Sequence, residues 1–329
     1  MWNVQADKGG LFGVGNAAYS WKSGIFSPAH LSRKPMTLFR HPEDRIPVLM
    51  FLGVFALDLT VFLTARSWWV PVLWFGLGII PKGWICSWNH HHQHLSFFKH
   101  ALPNRLLEIV FGFQTGVTSQ AWFLHHVLGH HKNYLDQTQD ESRWKRDDGS
   151  TMGEVEYSLS TALTAYSRAF HVGKKHHPKA LRVFVWMAAL QVVLLAGLFW
   201  VNPYNALFVF LLPMMASLYV TTWATYFHHV GLETANHSEA SYNILHKGYN
   251  LMTGNLGYHT AHHTRHGLHW SKLPELHAQL AQEIPANLYR QPGIPFVWSG
   301  SEEKLVLSEH EVAALSGRPV EGSGEKLAA

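Results

Sequence analysis

Residues 255–274 read NLGYHTAHHTRHGLHWSKLP, and their core is His259-x-x-His262-His263. On a helix, positions i, i+3 and i+4 share a face, so three imidazoles there can converge on a metal. One such triplet is weak evidence, because short histidine clusters are common on solvated surfaces. Two more stand upstream, His90-x-x-x-His94 and His126-x-x-x-His130-His131. Each adjoins a long apolar segment, and the rest of the chain reads as the scaffold that gathers them.

The apolar segments have the length of a bilayer crossing. Residues 46–65 supply about the 20 residues a spanning helix needs, with Asp58 as their only charge. An intramembrane carboxylate so far along the helix from the histidines is expected to pair with a neighbouring helix. Arg66, Ser67, Trp68 and Trp69 form a turn whose tryptophans suit a membrane interface. A second span, 70–88, runs into the first histidine cluster, and Lys82 near its far end is expected to snorkel toward headgroups. Residues 106–118 are apolar but too short to cross, which predicts a buried or re-entrant helix. From 132 to 179 the chain is polar, with an amphipathic helix expected around 154–170 on the membrane surface. Spans at 181–201 and 206–227 follow, joined by Asn202 to Asn205 as an antiparallel hairpin that ends on His228 and His229.

The expected fold is therefore an all-α integral membrane protein. Four transmembrane helices form two hairpins, and a cytoplasmic helical cap holds a histidine-rich di-metal site. The division is a cytoplasmic or interfacial segment at 1–45, a membrane domain at 46–298, and a tail at 299–329 that begins as a weak helix. Four crossings put all the clusters and both termini on one side. Arg66 is the only Lys or Arg in the two loops of the other side, so the positive-inside rule predicts a cytoplasmic site.

Composition agrees. Charged residues are 15% of the 329, low for a soluble protein, while histidine reaches 25 residues. With Cys86 as the single cysteine, neither an intrachain disulfide nor a thiolate metal cage can form. The net charge of +4 is too modest and scattered to suggest nucleic acid, and a basic excess facing an anionic leaflet explains it. The N-terminus is polar and carries no signal-peptide core.

The strongest ligand candidates are His90, His94, His126, His130, His131, His259, His262, His263 and one of His228 and His229. These are too many for one metal, and two metals sharing about nine imidazoles fit better. His91 and His92 point elsewhere on the helix, either behind the ligands or toward solvent. His125 competes with His126, but its spacing to His130 is one residue too long for an i, i+4 face. His171, His176 and His177 read as interfacial. His100, His237, His246, His266, His269 and His277 lack ligand spacing.

These motifs resemble those of membrane fatty acid desaturases. His90-His91-His92-Gln93-His94-Leu95-Ser96-Phe97-Phe98 is similar to their first histidine box, H-x(3,4)-H followed by a small residue, Ser and an aromatic. Residues 122–131, WFLHHVLGHH, resemble the second box, and residues 255–263 the third, including the leading Asn and the Gly-Tyr pair. The first box departs from its relatives in carrying histidines where Asp and Gly are usual. The resemblance covers roughly residues 40–280 and is specific for the desaturase and hydroxylase superfamily.

It implies two iron ions, dioxygen as co-substrate, and an acyl chain, carried on a lipid, coenzyme A or a carrier protein, in a tunnel that reaches the metals. It assigns the ligand after the last span to His229. Acids such as Glu108, Asp136, Asp140 or Glu233 are candidates to orient ligand imidazoles. Electrons must come from an external ferredoxin or cytochrome with its reductase, because the chain has neither a cysteine set for an iron–sulfur cluster nor a G-x-G-x-x-G fingerprint. The leading expectation is an oxygen-dependent acyl-chain desaturase. Its alternatives are a hydroxylase, ketolase or acetylenase of the same superfamily, or a non-catalytic zinc transporter or sensor.

Overall fold

Apolar length builds four long helices. In the computed structural model, which describes residues 37–293 and 307–316, α1 spans Arg45–Thr64 and α2 spans Trp69–His94. A short helix α3, Ala101–Thr115, and a surface helix α4, Glu154–His176, precede α5, Pro178–Val201. The fourth long helix, α6, is Pro203–His229. All four long helices are apolar enough to cross a membrane. Their outer faces expose large apolar side chains: Leu63 is 71%, Trp186 76% and Trp200 91% accessible. Such a belt belongs in lipid, where the helices satisfy their own backbone.

The crossings pair as two hairpins. α1 and α2 are separated by residues 65–68, and α5 and α6 by Asn202 alone. Asn202 caps α6 by accepting the Asn205 N–H at 3.0 Å, with Pro203 in the first helical position, where its missing N–H costs nothing. Asn205 in turn donates to the carbonyls of Phe62 and Ala65, at 2.9 and 3.1 Å, which ties the hairpins together at that end. Residues 207–211 form a π turn just ahead of Pro213, whose ring cannot join an α-helical ladder.

The two intramembrane charges meet. Lys82 does not snorkel: its side chain is fully buried, and its Nζ lies 2.6 Å from Asp58 Oδ1 on α1. Trp74 Nε1 donates to the same oxygen at 2.8 Å. An unpaired Asp58 in the bundle would cost far more than withdrawing one lysine from the interface, so the carboxylate decides where the ammonium goes.

α3 is buried, as its length suggested, placing Leu107, Phe111 and Phe113 in the core. It ends at Gly116 with φ +69°, where a Cβ would sit 2.3 Å from the Met214 carbonyl oxygen, so glycine is required. α4 buries a stripe of Tyr157, Thr161, Ala165 and Ala169, leaving Val155, Leu159 and Leu163 exposed on its other side. That arrangement suits a helix lying at a membrane interface.

Short helices α7, Lys247–Thr253, α8, His259–Thr264, and α9, Leu273–Leu280, complete the end of the bundle that carries the histidines. The expected weak C-terminal helix is α10, Glu309–Ser316; Leu307 and Val312 pack with Tyr242, Ile284 and Tyr289. Among the described residues there is no strand, only isolated bridges. Most of the expected N-terminal segment, 1–36, and the tail residues 299–306 and 317–329 lie outside the described residues.

Candidate metal centre

The three histidine clusters and His229 come together from four elements. α2 continues six residues beyond its expected end, so His90 and His94 occupy the last turns of a spanning helix. His229 ends α6, and His259, His262 and His263 form α8. The middle cluster is the exception to helix geometry. Residues Phe123–His130 are π-helical, and the His131 N–H donates to the His126 carbonyl at 2.9 Å, five residues back. Widening the turn puts His126 and His131 on one face and rotates His130 away.

The turn separates His130 from His126 and His131, and the candidate ligands as a whole fall into two groups. His90, His94, His126, His131 and His262 form one, with a ring nitrogen from each lying within 4.8 Å of all the others. His130, His229 and His263 form the second under the same limit. His259 stands beside it, its Nε2 3.0 Å from that of His229. The groups adjoin: the rings of His131 and His263 stack at 4.2 Å. Adjacent residues therefore serve different groups, both at His130 and His131 and at His262 and His263.

The donor set fits metal ions. His262 Nε2 lies 2.8 Å from His90 Nε2 and 3.1 Å from His131 Nε2, and the latter is 3.1 Å from His126 Nε2. One ring nitrogen carries one proton or one lone pair and cannot satisfy two such neighbours. Two nitrogens at right angles on a metal with bonds of 2.0–2.1 Å are about 2.9 Å apart, close to these separations. Both nitrogens of His94 and of His263, and Nε2 of His130, are buried without a hydrogen-bond partner. Burial, reinforced by the neighbouring rings, holds His126, His131, His259, His262 and His263 well below the usual imidazole range. They are thus neutral lone-pair donors, the form a metal requires.

Hydrogen bonds from the outer nitrogens set the tautomers. His130 donates Nδ1–H to both oxygens of Asp140, at 2.8 and 2.9 Å, with both side chains buried. His229 donates Nδ1–H to the Ala240 carbonyl at 2.9 Å, which leaves Nε2 as a lone pair facing inward. His228 is fully engaged elsewhere. It donates Nδ1–H to the Tyr242 carbonyl at 3.0 Å, faces Tyr249 Oη with Nε2 at 3.3 Å, and stacks on His259 at 3.9 Å. Of the two, His229 alone belongs to a group that could hold a metal.

His91 and His92 are buried, not solvent-facing; His91 Nε2 is held by the Thr253 carbonyl at 3.2 Å, and His92 Nε2 lies 3.4 Å from Glu108. His125 is buried flat against Trp122 and belongs to neither group, and burial lowers its pKa to about 3. Of the four acids, Asp140 alone bonds an imidazole of either group. Glu108 binds His92, Arg105 and Ser119; Asp136 turns to Thr138; Glu233 pairs with Lys145. Sequence spacing gave no role to His269, yet its Nε2 and Trp270 Nε1 both reach the buried Asp44, at 3.0 and 2.8 Å. That contact anchors the segment after α8 to the start of α1, and only the tertiary fold reveals it.

Two buried imidazole groups at the end of a four-helix membrane bundle narrow the possibilities, and the family comparison decides. The sequence model described as fatty acid desaturase matches residues 66–293. The chain belongs to the fatty acid desaturase family. That span includes all three histidine clusters, α2 through α9 and the π turn. None of the curated proteins compared with the chain matches it significantly.

Proposed function

We propose that the chain is an oxygen-dependent acyl-chain desaturase whose two irons are held by His90, His94, His126, His130, His131, His229, His259, His262 and His263. The observation that carries this reading is an apolar passage between α2 and α6 that ends at the histidines. Its outer part, about 390 Å³, is lined by Ile79, Ile80, Trp84, Trp223 and Phe227 among others. Gly83, Val220 and Ala224 line both this part and a small inner chamber of about 40 Å³, where His90, His126 and His259 appear.

The chemistry two bound irons supply is activation of dioxygen and removal of one hydrogen atom from each of two adjacent methylenes. The protein contributes position. Gly83 and Ala224 add little bulk to the wall the two parts share, and two hydroxyls of the inner chamber are engaged by backbone: Thr221 Oγ1 donates to the Ser217 carbonyl and Thr225 Oγ1 to that of Thr221. A methylene chain therefore meets a predominantly apolar surface, interrupted by Ser87 and His228, which favours an acyl substrate over a polar one. Asp140 holds His130 in the tautomer that presents Nε2.

The charge pattern supports a cytoplasmic site: Arg66 is the sole Lys or Arg between the paired helices at the opposite end, while Lys99, Arg105 and Lys132 lie at the histidine end. We take residues 46–298 as the catalytic membrane domain. The test is acyl analysis of cells producing the chain together with a suitable reductant. New unsaturated acyl species are expected, and they should vanish in a His262→Ala, His263→Ala double variant. Hydroxylated or keto products alone would replace desaturation with another reaction of the superfamily.

A further inference from the structure

The desaturase reading, on which this inference rests, fixes an electron count. Converting one CH2–CH2 pair to CH=CH with one dioxygen and releasing two waters consumes two further electrons and two protons. Those electrons must enter through the protein surface, and the apolar passage between α2 and α6 is the wrong face for a water-soluble carrier.

On another side of the centre one ring bridges buried site and solvent. His266 is exposed, within an exposed run from Thr264 to Gly267. Its ring lies 5.3 Å from that of His131 and 5.9 Å from that of His94, both in the five-histidine group. His266 thus places one exposed ring in contact with the five-histidine group, beside the partly buried His94.

The surroundings are cationic. Arg265 precedes His266, Lys132 follows His131, and both are exposed. Beside His94 opens a polar cavity of about 340 Å³ with Arg40, Lys99 and Arg105 in its walls. Arg105 is spent on Glu108, but among the described residues Arg40 bonds the carbonyl and hydroxyl of Ser96 and Lys99 bonds Thr37, all uncharged groups.

We propose that the face centred on His266, with Lys132 and Arg265 at its rim, docks an acidic one-electron carrier protein that reduces the metal centre. Charge complementarity of this kind steers encounter, and its strength falls with salt. Small, transient interfaces are usual for redox partners.

The test is a binding titration of the full-length, iron-loaded chain in detergent with an acidic [2Fe–2S] ferredoxin. Binding is expected to weaken steeply between about 50 and about 300 mM salt. Lys132→Glu combined with Arg265→Glu should weaken it at least tenfold at low salt with iron content unchanged. Arg66→Glu, in the exposed loop between α1 and α2 at the opposite end of the bundle, should leave affinity as it was. Affinity that ignores salt, ignores the Lys132 and Arg265 reversals, or is matched by a cationic cytochrome would overturn the proposal. Iron content and product formation by the unaltered chain test the desaturase reading separately. If both are present while ferredoxin binding is insensitive to charge reversal, only the docking face is wrong.

Discussion

Asp140→Ala should strip metal from one group before the other. The carboxylate accepts His130 Nδ1–H on both oxygens, at 2.8 and 2.9 Å, and also the Ser142 N–H at 2.7 Å. Alanine leaves that buried Nδ1–H without an acceptor and frees the ring to turn or change tautomer. Removing such a support typically costs 10- to 100-fold in metal affinity, or about 1.4–2.7 kcal/mol. The lost Ser142 contact adds a folding cost of about 1–3 kcal/mol for a stranded buried donor. Asp140→Asn separates the two effects, since it keeps an oxygen for one donor and the shape of the side chain. The assay is competition with a graded chelator, reading metal retained per chain, beside thermal unfolding of the metal-free protein. The expected result is about one metal lost at chelator strengths the wild type resists, with alanine worse than asparagine. Equal retention in all three proteins, with unfolding unchanged, would refute the assigned role of Asp140.

Three further perturbations test other parts of the account. Asp58→Leu alone strands a buried Lys82 and should cost about 3–5 kcal/mol, whereas adding Lys82→Met should recover most of it; equilibrium unfolding in detergent reads both, and additive costs would contradict the pair. Gly257→Ala would put a Cβ 2.1 Å from the Ile244 carbonyl oxygen, two residues before His259, so a loss of about 1–3 kcal/mol and of metal is expected; a variant with wild-type metal and melting would deny that constraint. Ala224→Phe should close the throat of the passage, ending product formation while leaving metal content intact. Undiminished product from that variant would place the substrate elsewhere.

Much of this was legible before the fold was known. The four spans follow from apolar length alone, and every histidine that converges, except His229, belongs to a cluster with ligand spacing. The hidden parts depend on contacts between distant segments. Assuming an α-helix at residues 123–130 identified His126 but could not show that it shares a group with His131, because a π turn changes which residues align. α2 runs past its apolar stretch because His90, His91 and His92 are buried by packing that hydropathy does not report. Lys82 looked like an interfacial residue until Asp58 on another helix supplied its partner. His228 and His229 are indistinguishable by position, and the carbonyls of Tyr242 and Ala240 and the hydroxyl of Tyr249 separate them.

The central claim is that adjacent histidines serve two different irons. Metal analysis of the purified chain and of single His262→Ala and His263→Ala variants tests it most directly. The account predicts two irons per wild-type chain, with each variant losing a different one, distinguishable by Mössbauer spectroscopy of the iron that remains. Zinc in place of iron, a single metal per chain, or two variants that lose the same ion would contradict it.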